Sequence, residues 1–303
     1  MSTAVPSIDT TLDGPAEEPL AAGASALPAG AALSPAAALS AEAVAVGASA
    51  RAAAGGVLAG ARRSRWWVEA LTIAWLGWLY DAVTNLAPLR LGAALTHGRD
   101  ILSAERSLGI APEQSLDRWL AHRHALGVAI SYYYDNAHFI VTLGLLGFLW
   151  WRRADIYRPL RSALVLINVL GFVIFWRYPV APPRMLGGFT DIVATSHALG
   201  SWHTGALASD ANQLAAMPSL HIAWALWCTV AVWRITRAAH WRALAAVYPL
   251  ATGFAVLATG NHYVFDILGG AILAAVTVAL VDVAYRLLGR PRRGEEPALA
   301  TAG

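Results

Sequence analysis

The sequence predicts an all-α, polytopic membrane protein built as a bundle of six transmembrane helices. Three observations carry that prediction. Of the 303 residues, 57% are hydrophobic and only 14% charged, whereas a soluble domain usually carries about a quarter charged residues. The apolar residues gather into six runs, each near the roughly 20 residues needed to cross the hydrocarbon. The basic residues, all 22 of them arginine, collect at the ends of those runs. The net charge of +3 is small and follows the runs, so membrane topology rather than a nucleic-acid partner accounts for it. The absence of lysine, beside so much alanine and glycine, reads as GC-rich coding rather than mechanism.

Residues 1–64 are rich in Ala, Pro, Gly and Ser and lack a periodic apolar pattern, so they read as a disordered cytoplasmic tail. No basic region followed by an apolar one marks a secretory signal at the N-terminus. Val44–Ala61 is apolar but built from small residues, a poor spanning helix. The membrane domain is expected over 65–289, with a second disordered cytoplasmic tail over 290–303. Its six spans are Trp66–Pro88, Gly127–Trp151, Leu160–Tyr178, Ser219–Trp233 (extending to Ile235), Ala243–Gly260 and Val264–Leu288. Trp66/Trp67, Trp150/Trp151, Trp176/Tyr178 and Trp233/Trp241 sit near their ends, as an interfacial aromatic belt requires.

Arginine placement sets the orientation. Arg51, Arg62, Arg63 and Arg65 precede the first span, and Arg152, Arg153, Arg158 and Arg161 separate the second from the third. Arg234, Arg237 and Arg242 separate the fourth from the fifth, and Arg286, Arg290, Arg292 and Arg293 follow the sixth. With an even number of spans these four groups share one side, cytoplasmic by the positive-inside rule, and both termini lie there. The other side carries segments 89–126 and 179–217 and a tight turn near Asn261, with Ser115–Leu126 expected as an interfacial helix. Cys228, the one cysteine, lies in an apolar run, which excludes an intrachain disulfide.

Three polar clusters then fall at the outer ends of spans three, four and six: Arg177 to Arg184, Pro218 to His221, and Gly260 to Asp266. His262 and Asp266 are spaced i, i+4 and share one helix face. A carboxylate there accepts the proton of one ring nitrogen and leaves the other as a nucleophile. His221, from another helix, is placed to protonate a departing oxygen and to take a proton from an incoming water or alcohol. Arg177 and Arg184 suit phosphate oxygens, because guanidinium matches their geometry. Ser219 and backbone N–H groups at the start of the fourth span add donors at the positive end of a helix, and Tyr178 and Asn261 flank the same clusters as substrate-binding candidates. The arrangement calls for no metal or other cofactor, and the remaining histidines form no metal-ligand set.

These clusters resemble the three signature motifs of the type-2 phosphatidic acid phosphatase superfamily, written Lys-x6-Arg-Pro, Pro-Ser-Gly-His and Ser-Arg-x5-His-x3-Asp. Arg177 stands in the lysine position, Arg184 in that of the arginine, and Met185 replaces the proline. Pro218, Ser219 and His221 match the second motif with Leu220 in place of glycine; His262 and Asp266 end the third. The Ser-Arg pair falls on Ala255 and Val256, so one phosphate-binding arginine is missing. The variant motifs, Tyr-Pro-x-Ala-Pro-Pro-Arg, Pro-Ser-Leu-His and His-Tyr-x-x-Asp, are closer to the inositol phosphorylceramide synthase branch. The resemblance covers roughly Trp66 to Leu288. It implies His262 as nucleophile, Asp266 as its orienting partner, His221 as general acid, and a lipid phosphate or phosphodiester as donor. The acceptor is a polyol or lipid alcohol in a transferase and water in a phosphatase. A lipid-phosphate transporter without bond cleavage is the other class of reading, and it asks for polar residues along the whole path. Helix four below His221 and helix six below Asp266 are nearly uninterrupted apolar residues until Asp282. Asp135 and His138 read as lining a lipid cavity or, preferably, as satisfying each other; Asp81 and Asn85 read either way. Glu105, Arg106 and Asp191 read as solvated loop residues.

Overall fold

A computed structural model describes residues 65–85, 90–195 and 214–288; the two predicted tails lie outside the described residues. Helix is the regular structure throughout them, beside one isolated parallel bridge between Val180 and Ala215. In chain order the elements are α1 (Trp66–Asn85), α2 (Leu91–Ser107), α3 (Glu113–Ala121), α4 (His124–Arg152) and α5 (Ala154–Arg177). A 3-10 turn at Pro183–Met185 follows, then α6 (Ile192–Thr195), α7 (Leu220–Ile235), α8 (Ala239–Ala258) and α9 (Val264–Leu288).

A helix occupies each of the six predicted spans. Three of them, α5, α8 and α9, are long and apolar enough to cross a membrane, while α7 is apolar but only 16 residues long. α1 and α4 have the length, 20 and 29 residues. Their composition is more amphiphilic, with four tryptophans and Glu69 in α1 and the run Tyr132 to His138 in α4. The third span starts earlier than predicted, at Ala154, and runs through Pro159. A single non-helical residue, Arg153, separates it from α4, so the connection is a corner rather than a loop. The expected interfacial helix over Ser115–Leu126 is shorter and shifted, Glu113–Ala121, and α2 was not foreseen.

Leu149, Leu160, Ile167, Trp227, Leu273 and Val281 anchor the main core, which joins α4, α5, α7 and α9. Trp227 donates from its indole nitrogen to the carbonyl of Leu160 at 2.8 Å, so the largest buried side chain is satisfied. Polar groups inside the helices turn to carbonyls one turn back, as Asn168, Thr229, Thr252 and Thr277 do. That is the arrangement lipid demands, because no water is present to take them. The outward faces carry large apolar side chains, among them Leu244, Val247 and Leu250 on α8 and Leu268, Ile272, Val276 and Leu280 on α9. A continuous apolar surface of this kind is an aggregation hazard in water and costs nothing against acyl chains.

The arginines tie the helices together at one end. Arg153 binds Asp155 and the carbonyl of Ile235, Arg161 binds Glu69, and Arg234 grips Asp282 through two hydrogen bonds. Each pair is partly exposed, so each contributes no more than about 1 kcal/mol. The opposite end is roofed by α2, α3 and residues 178–195. There the Ala181 N–H donates to the carbonyl of Ala94, and the Thr190 N–H to Asp117.

Candidate functional site

Helix α8 ends in a turn that delivers the third cluster. Gly260 takes a positive φ of 65°, its N–H donates to the carbonyl of Leu257, and the N–H of Asn261 reaches back to Val256. This is the Schellman arrangement, for which glycine is favoured because it alone adopts that backbone without strain. The next N–H, of His262, also donates to Val256. The chain re-enters helix at Val264, and Asp266 in the first turn accepts the N–H of Tyr263 at 2.9 Å. One carboxylate thus caps α9 and stands beside the imidazole.

His262 is buried, and its Nδ1 faces two acceptors, the carbonyl of Ala216 at 2.9 Å and Asp266 Oδ2 at 3.3 Å. With acceptors on that side the ring proton belongs on Nδ1, which leaves Nε2 with its lone pair. Nε2 points at His221 Nδ1, 3.4 Å away. The shorter bond is to a backbone carbonyl that no side-chain pattern could announce; Asp266 is the longer partner.

His221 sits in the first turn of α7. Its ring stacks on Tyr134 of α4, with centroids 4.6 Å apart, and meets the ring of His138 at 4.4 Å. His138 sends Nδ1 to the carbonyl of Tyr134, and its ring also meets those of Phe139 and Trp224. A small cavity opens beside these rings, lined by Tyr133, His138, His221, Tyr248 and Thr252. Ser219, just ahead of α7, donates its N–H to the carbonyl of Asp266, which locks α7 to α9 beneath the two histidines. Its hydroxyl is buried with no hydrogen-bond partner among the described residues. The N–H groups of the first turn of α7 have no intrahelical acceptors, which makes that end of the helix electropositive.

Arg184 joins the same centre. Its backbone N–H donates to the carbonyl of Gly260, Nη1 donates to Asn261 Oδ1 at 2.7 Å, and Nε to Asp191 at 3.2 Å. Asn261 is held in turn by Thr259. The side chain of Arg184 is only 5% exposed, so it is fixed rather than sampling solvent. Asp191, read from sequence as solvated, is therefore an anchor. Asp117 Oδ1 accepts the N–H of Thr190, and burial pushes its carboxyl above the usual range. Arg184→Lys is expected to lower kcat/KM for a phosphate donor by roughly 10- to 100-fold, since one ammonium cannot hold both partners and present a planar fork. Steady-state kinetics of the purified variant check this.

Not every predicted residue arrives. Arg177 is exposed over Trp176, and Tyr178 stacks on His97 at 4.0 Å. Neither makes a hydrogen bond or ring contact with His221 or His262 among the described residues. Ala255 and Val256, where the third motif would carry its Ser-Arg pair, are packed in α8. Glu105, read as a solvated loop residue, is fully buried on α2 and accepts the N–H of Phe265 at 2.6 Å. Glu113 is equally buried and accepts the N–H of Val264 at 3.1 Å. The side chains of Asp81 and Asn85 lie outside the described residues.

A family model described as the PAP2 superfamily matches residues 99–280, a stretch that contains all three clusters. No curated protein and no solved structure matches the chain.

Proposed function

The chain belongs to the PAP2 superfamily, and we propose that it moves a phospho-headgroup from a lipid donor to an alcohol through a phosphohistidine on His262. Membership supports the coarser statement directly: a membrane protein with lipid phosphatase or phosphotransferase activity on a lipid phosphate. The single observation that carries the mechanism is the polarised imidazole, with Nδ1 tied down by Ala216 and Asp266 and Nε2 turned to His221.

Nε2 of His262 attacks phosphorus, the bond from phosphorus to the lipid oxygen breaks, and protonated His221 gives that oxygen its proton. The acceptor hydroxyl then loses its proton to His221, attacks phosphorus, and displaces the histidine. Arg184, the Ser219 hydroxyl and the first N–H groups of α7 stabilise the phosphoryl oxygens. The two ring nitrogens at 3.4 Å stand too close for an in-line transfer. Attack distance, scissile bond and hydrogen bond together span roughly twice that. The His221 ring must therefore swing away along Tyr134 as the phosphate enters.

Six spans with both termini cytoplasmic set this chemistry on the extracytoplasmic face, a topology supported by the arginine groups at the far ends of α5, α7 and α9. The transferase is favoured over hydrolysis by the Pro-Ser-Leu-His and His-Tyr-Val-Phe-Asp variants, which resemble the inositolphosphotransferase branch. The test uses the purified full-length protein in detergent with phosphatidic acid and with phosphatidylinositol, following free phosphate and headgroup products with and without added inositol. Headgroup product that requires the alcohol is the expected result. Free phosphate released without it replaces the transferase by a phosphatase. Lipid movement across vesicles with no new product overturns the enzyme altogether.

A further inference from the structure

The helix that follows His262 is capped by more than its own aspartate. The first N–H groups of α9 and of the residue ahead of it have no acceptors within the helix. Three consecutive ones are taken by three different carboxylates: Tyr263 by Asp266, Val264 by Glu113 and Phe265 by Glu105. Glu105 comes from α2 and Glu113 opens α3, so two acids from the roof hold the turn that carries His262. Both are fully buried, and the second oxygen of each, Oε2, has no hydrogen-bond partner among the described residues. The titratable groups facing Glu105 are Glu113 from α3 and Asp266 and Tyr263 from the start of α9. None of them brings a positive charge, and no arginine or histidine among the described residues forms an ion pair with either glutamate.

Two buried carboxylates side by side, without a cation and next to a third, cannot both ionise at ordinary cost. One proton between them removes the repulsion, satisfies both free oxygens, and leaves each Oε1 to accept its backbone N–H. We propose that Glu105 and Glu113 form a proton-sharing pair that positions His262, holding the first turn of α9 from the roof so that Nδ1 stays on Ala216 and Asp266. This rests on His262 being the reactive group. Neither glutamate touches substrate; both act through the backbone of Val264 and Phe265. The roof is thereby a part of the catalytic geometry rather than a cover over it.

The pH dependence follows. Burial, then the hydrogen bond that the protonated Glu105 carboxyl donates to Glu113, raises that carboxyl to about 8. A carboxyl whose folded value lies above its unfolded one favours folding while it stays protonated. That contribution is complete below the unfolded value of 4.5 and is lost as pH rises to about 8. Above that Glu105 is charged beside Glu113 and Asp266, and the clamp on α9 loosens.

The full-length protein in detergent, with Glu105→Gln, Glu105→Ala and His262→Ala, tests this by Tm against pH from 5 to 9.5 and by turnover of dioctanoyl phosphatidic acid with added inositol over the same range. A glutamine keeps an acceptor for Phe265 and a donor for Glu113 but cannot lose its proton. Glu105→Gln is therefore expected to flatten the alkaline fall of Tm and to carry the alkaline limb of turnover upward. Glu105→Ala, which removes the clamp, is expected to lower turnover by about tenfold or more at neutral pH. Parallel Tm–pH curves for wild type and Glu105→Gln overturn the shared proton, with or without turnover of this lipid. An Ala variant that turns over the lipid with wild-type kcat and pH profile overturns the positioning role. Turnover surviving in His262→Ala removes the histidine reading instead, a failure distinct from either.

Discussion

His262→Ala is expected to abolish turnover, with a loss of about 10⁴-fold or more in kcat, while leaving Tm close to wild type. A nucleophile has no substitute in a double-displacement mechanism, and residues that act as a unit lose most of their joint effect when the first is removed. The ring contributes little packing that an alanine would forfeit, because its neighbours are the carbonyl of Ala216, Asp266 and the His221 ring. The covalent step offers a sharper observable than rate alone. With a donor labelled on phosphorus, acid-labile and alkali-stable label should be trapped on wild type and absent from the variant. His221→Ala should behave differently. It loses the proton donor, worth about 10²- to 10⁴-fold, and a donor with a good leaving group such as an aryl phosphate should recover much of that loss. Persistent turnover in His262→Ala, or equal defects of the two histidine variants on aryl and alkyl donors, would sink the assignment of roles.

The parts of this arrangement that were legible in the sequence are those whose signal is long or covalently close. Six runs of apolar residues became six helices because a 20-residue pattern outweighs any local exception. The His262 and Asp266 pairing was legible because four residues in a helix put two side chains on one face whatever surrounds them. His221 and Arg184 came with it once alternating topology placed their clusters at one end. What stayed hidden was decided by packing. The stripe of Ala94, Gly98, Ile101, Leu102 and Glu105 is a helical face, yet it contains small residues and ends in an acid, so it read as loop. Burial of Glu105 makes sense only beside the N–H of Phe265, which lies 160 residues away in the chain. Arg177 lies apart from the two histidines for the converse reason. It matches a motif by spacing, but two positions beyond the buried Phe175 the helix has turned it outward over Trp176. The Ala216 carbonyl leaves no trace in side-chain patterns at all.

Gly270→Ala is expected to lower kcat by about 100-fold and to destabilise the protein by about 1–3 kcal/mol, although residue 270 touches no reacting group. Gly270 lies on the face of α9 one turn beyond Asp266, against the start of α7. A methyl there would drive into the Ser219 carbonyl oxygen and stand 3.3 Å from Ile222 Cβ. The obstacle is backbone, which cannot rotate aside as a flexible side chain would, so α7 and α9 must separate. They are joined at that level by the Ser219 N–H donating to the Asp266 carbonyl. Two residues later α7 presents His221, and four residues earlier α9 presents Asp266 with His262 just ahead of it. Separation at Gly270 therefore moves His221, the proposed proton donor, away from His262, the proposed nucleophile, and strains the bond that orients it. The kinetic signature is a fall in kcat larger than any rise in KM, because Arg184, the proposed phosphate ligand on another element, stays in place while Ser219 shifts. Gly144→Ala in α4, where an added Cβ meets nothing within 4 Å, serves as the control. It should leave kcat unaltered and hold or raise Tm, since alanine orders the helix at lower entropic cost than glycine. Wild-type kcat in Gly270→Ala would show that the α7–α9 contact does not set the distance between the two histidines, and the mechanism would then need a different donor.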